Sequence, residues 1–182
     1  MTNWACEGIG LVTGQRVVKS GAGPQAAMIE RQFMVQDLNA RYVEAIDEGR
    51  FEAWPDFFMD DCTYRITTAE NVEQGLPLSI IYATSRAMMR DRVKALREAN
   101  VYEAQRYRHI LGPSRLESAE DGSISVRTNF MVARIMHTGE TVLFATGRYL
   151  DRVVLAGETA HFLEKTVILD SRQIDTLLAI PL

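Results

Sequence analysis

Residues 47–66, DEGRFEAWPDFFMDDCTYRI, close one helix, set a knot of aromatic rings and open a strand within a single short block. Gly49 follows a helical pattern and suits the left-handed geometry that ends a helix. Phe51, Trp54, Phe57 and Phe58 recur at helical spacing, which predicts a short second helix pressing its rings onto something beneath. Asp60 and Asp61 read as the stop of that helix and a turn. Cys62, Tyr64 and Ile66 then alternate with Thr63, Arg65 and Thr67, the period-two pattern of a half-buried strand. The rings therefore face a sheet.

Working outward, the spacing of Met28, Phe33, Leu38, Tyr42, Ala45 and Ile46 predicts a long amphipathic helix over Gln25 to Glu48. A second runs from Ser85, a plausible N-cap, to Ala99, with Met89, Val93 and Leu96 on its apolar side. After Tyr107 the texture turns to strands: Arg108 to Leu116, Ser123 to His137, Glu140 to Leu155 and Thr159 to Leu169. Turn-prone pieces such as Thr138-Gly139 and Ala156-Gly157 separate them. Helices first and strands later, without strand-helix-strand alternation, predicts an α+β fold in which helices pack on one face of a curved, mainly antiparallel sheet.

The bulk properties narrow the class. With 182 residues, 47% of them hydrophobic, the chain suits one compact domain. Its two cysteines, Cys6 and Cys62, make no disulfide framework, which points to a reducing cytoplasm. A net charge of -4 argues against a nucleic-acid binder. No apolar run approaches the roughly 20 residues of a membrane span. Residues 1–24, with glycines at 8, 10, 14, 21 and 23, show no sustained period and are expected to form a flexible extension ahead of a single domain over 25–182.

The order of long helix, aromatic short helix, Asp-Asp and alternating strand resembles the small (beta) subunits of Rieske-type aromatic-ring-hydroxylating dioxygenases. The resemblance continues through SRAMMRDRVKALREANVYEAQRYRHILG (85–112), FMVARIMHTGETVLFATGRYLD (130–151) and DTLLAIPL (175–182). It covers about Met28 to Leu182. Within the family, LREANVYEAQRYRHILG, RIMHTGET and DTLLAIPL are most similar to the terephthalate dioxygenase and salicylate 5-hydroxylase small subunits. The resemblance implies the open cone shared with nuclear transport factor and ketosteroid isomerase. It also implies a large (alpha) partner in a complex of three large and three small subunits, and electrons delivered indirectly by a reductase.

Such an oxygenase needs a Rieske cluster on two Cys and two His, and an iron on two His and a carboxylate. His109, His137 and His161 are dispersed, and no Cys-x-His or Cys-x-x-His pair occurs. Both the [2Fe-2S] cluster and the mononuclear iron are therefore expected on the large subunit, with no catalytic, cofactor or metal residue on this chain. Nucleotide-binding glycine motifs and a nucleophile elbow are also lacking.

One rival reading is a stand-alone isomerase or dehydratase on the same cone, with Tyr42, Asp61, Tyr64, Tyr82 and His109 as proton-transfer candidates. A pure scaffolding module unrelated to oxygenases is another. The arginine-rich middle favours the subunit reading, since the planar guanidinium suits interface carboxylates and backbone oxygens. Arg86, Arg92, Arg97, Arg106, Arg108 and His109 are the interface candidates, weighed against ordinary surface solvation and, for His109, a structural hydrogen bond.

Overall fold

The computed structural model describes residues 23–98, 105–172, 178 and 180–182. The flexible extension expected at 1–24 thus falls almost wholly outside the described residues. Helix α1 spans Pro24–Asp47, and Pro24 opens it where its missing N–H costs nothing. At the other end Gly49 takes φ +70° and Arg50 donates back to the Ala45 carbonyl at 2.8 Å, so the glycine closes the helix as its position predicts. Val35, Leu38, Tyr42, Val43 and Ile46 are buried. Met28 and Phe33, expected on the same buried stripe, are 70% and 69% exposed. Helical spacing fixes which residues share a face, but it does not place anything beneath that face.

Phe51–Phe57 forms a 3₁₀ helix instead of an α-helix, with Pro55 inside it unable to donate an α-helical hydrogen bond. Phe58 does not extend this helix but begins strand β1, Phe58–Thr68. Asp60 and Asp61, expected as helix stop and turn, lie inside β1 where its register with its neighbour shifts between Phe58 and Thr63. A bulge lets both carboxylates stay in water while Cys62, Tyr64 and Ile66 turn inward as predicted.

Two small elements escaped the sequence reading. Helix α2, Ala69–Glu73, is capped by Thr68, whose hydroxyl accepts from the Asn71 N–H, and strand β2, Ile81–Ala83, pairs with β1. Helix α3, Arg86–Glu98, buries Met89, Val93 and Leu96, and Ser85 caps it by accepting from the Met88 N–H at 3.3 Å. The strand expected over Arg108 to Leu116 is two strands, β3 Gln105–Leu111 and β4 Arg115–Ser118. Pro113 lacks the ladder donor that would join them. Strands β5 Ile124–Met136, β6 Thr141–Ala156 and β7 Thr159–Leu169 follow the predicted order closely.

The sheet order is β2-β1-β7-β6-β5-β3, with β4 also on β5, and every pairing is antiparallel except β1 with β7. Register shifts in β5–β6 and β6–β7 add twist, curling the sheet into the open cone that the family resemblance implies. Gly147 permits one tight spot, since a Cβ there would collide with the Ile168 carbonyl and lie 3.1 Å from the Phe130 ring.

Candidate functional site

The inside of the cone is where this architecture can hold a ligand, and here it holds the chain's own side chains. Trp54 stands edge-on to Tyr64 with ring centres 4.9 Å apart, and Tyr42 meets Phe57, Phe58, Tyr149 and Phe162 edge-on. Such geometry places ring edges against ring faces, which adds to the hydrophobic gain of burial. Leu178, Ile180 and Leu182 are buried against this core. The Tyr42 hydroxyl donates to the Leu182 oxygen at 2.7 Å and the Tyr64 hydroxyl at 3.1 Å, while the Leu182 N–H donates to the Tyr64 oxygen at 3.0 Å. Burial raises both phenols above their ordinary value, so they remain neutral donors.

The five proton-transfer candidates are not assembled into one site. Tyr42 and Tyr64 meet around Leu182, whereas Asp61 is exposed in the β1 bulge and Tyr82 is 57% exposed on β2. His109 lies on β3, enclosed and bound elsewhere. Its Nδ1 is 2.6 Å from Asp47 Oδ1, and its backbone N–H donates to Asp47 Oδ2 at 2.9 Å. This clamp ties the end of α1 to the sheet. His109→Ala should therefore lower stability by about 1–3 kcal/mol by leaving the Asp47 carboxylate short of a buried partner. Turnover per assembled complex should stay within a few-fold of wild type. A general acid or base would lose about 10²–10⁴-fold, so steady-state rates on assembled complex separate the two.

A second buried polar feature had no signal in the sequence. Lys165 on β7 and Asp151 on β6 are register partners, both fully enclosed, with Nζ 3.0 Å from Oδ2. The ammonium also lies 3.6 Å from the Tyr149 ring centre, 4.4 Å from that of Phe162 and 4.7 Å from that of Tyr42. Three ring faces thus add cation–π attraction to the ion pair. Burial pushes the two groups toward neutrality, raising the carboxyl and lowering the ammonium, and their mutual attraction opposes it. In sequence the two are ordinary charges within alternating strands; only the register brings them together.

The interface candidates fall into different environments. Arg86 donates to the Phe58 carbonyl and reaches Asp60 at 3.2 Å. Arg97 forks onto Glu52 at 2.7 and 2.9 Å, donates to the Gly49 carbonyl at 2.8 Å and lies 4.9 Å from the Phe51 ring centre. That fork holds the Glu52 carboxyl down to about 2. These two arginines fasten α3 to the 3₁₀ helix and β1. Arg92 is half-buried with no acceptor for its Nε, and desolvation lowers its pKa. Arg106 and Arg108 project from β3, with Arg108 3.9 Å from Asp47.

Among the described residues no three His, Cys, Asp or Glu side chains stand together as a metal site. His109 is on β3, His161 on β7 and His137 beyond the end of β5, so these residues do not fit a Rieske cluster or a histidine-carboxylate iron. Cys62 is buried, with its Sγ 3.7 Å from the Met89 sulfur, and burial raises its thiol pKa. No described helix is long and apolar enough to cross a membrane.

Comparison with known proteins is consistent from sequence to fold. The ring hydroxylating beta subunit family matches residues 41–176. The chain is 44% identical over 151 residues to the beta 1 subunit of the terminal oxygenase component of terephthalate 1,2-dioxygenase from Comamonas sp, covering 83% of this chain and 98% of that one. It is 38% identical over 150 residues to the anthranilate 1,2-dioxygenase small subunit of Burkholderia cepacia, covering 82% and 93%. Among solved structures, a beta subunit assigned to an aromatic-ring-hydroxylating dioxygenase of Novosphingobium aromaticivorans superposes with a TM-score of 0.77 at 37% identity, covering 86% of this chain and 99% of that one.

Proposed function

We propose a supporting role for this chain, which belongs to the ring hydroxylating beta subunit family and so is the small subunit of an aromatic-ring-hydroxylating dioxygenase. Its task in that oxidoreductase is structural. The observation that carries this reading is the filled cone, in which Tyr42 and Tyr64, the residues placed to act on a ligand, are bound to Leu182 instead. The Rieske [2Fe-2S] cluster and the mononuclear iron reside on the large subunit. Three large and three small subunits assemble in the cytoplasm, and a reductase supplies the electrons.

The substrate we propose is an aromatic carboxylate, terephthalate, converted to a cis-dihydrodiol. The 44% identity to the Comamonas terephthalate dioxygenase subunit over nearly its whole length supports this choice. Salicylate hydroxylated to gentisate is the alternative that the sequence motifs leave open. Assay of the co-purified complex with each substrate distinguishes them by product. The chain purified alone is expected to be colourless and inert. Stoichiometric iron and acid-labile sulfide in that preparation would sink the subunit reading.

A further inference from the structure

We draw no further inference here: the strongest candidate, the row of Arg65, Arg115, Arg127 and Arg148 across the outward face of the sheet, carries nothing because nothing in the structure shows what covers it.

Discussion

Lys165→Met should cost the folded chain about 3–5 kcal/mol, because it strands the fully buried Asp151 carboxylate without its counter-ion. Both side chains are fully enclosed, 3.0 Å apart, and Asp151 Oδ1 has no hydrogen-bond partner even in the intact protein. The loss is a large share of the roughly 5–15 kcal/mol that holds a domain together. Its pH dependence has a definite sign. Burial pushes the Asp151 carboxyl up to about 6 despite Lys165. A carboxyl raised in the folded state penalises folding above its folded pKa, and the penalty fades as pH falls toward the unfolded value near 3.9. The deficit of Lys165→Met relative to wild type should therefore be largest at neutral pH and above, and shrink as pH falls toward 4. Replacing both partners, Asp151→Leu with Lys165→Met, should recover most of it, since apolar residues of similar volume remove the desolvation cost of both charges. Urea midpoints across that pH range decide the matter; a single variant as stable as wild type would show that the site is not sealed from water.

Trp54→Ala should cost a similar 3–5 kcal/mol by removing a buried indole from the aromatic knot. Trp54 is 1% exposed and stands edge-on to both Tyr64 and Phe58. Truncation leaves a hole between the 3₁₀ helix and β1, next to the tyrosines that hold Leu182. The effect should appear in thermal midpoint and in the yield of assembled complex, with turnover per assembled complex unchanged. Trp54→Phe should be milder, because the indole Nε1 has no hydrogen-bond partner to lose. A wild-type midpoint for Trp54→Ala would contradict the packing described here.

Elements with strong local signals, and the class of fold they build, were legible in the amino-acid order alone. Gly49 ended α1, Ser85 capped α3, and the alternation of Cys62, Tyr64 and Ile66 marked the inner face of β1. These depend on local backbone geometry or short periods, which neighbours in the chain specify. The family was legible for the same reason, in long unbroken motifs. The tertiary structure decided what depends on partners distant in sequence. It put Phe33 in water and Asp60–Asp61 in a bulge, and it brought Asp47 to His109 and Asp151 to Lys165. It also laid Arg86 and Arg97 back over the chain onto Phe58, Asp60, Glu52 and Gly49, while aligning Arg65, Arg115, Arg127 and Arg148 on one outward face. Strand register determines that last alignment. A shift of one residue moves every side chain of a strand to the opposite face, and the sequence of one strand does not state the register of the next.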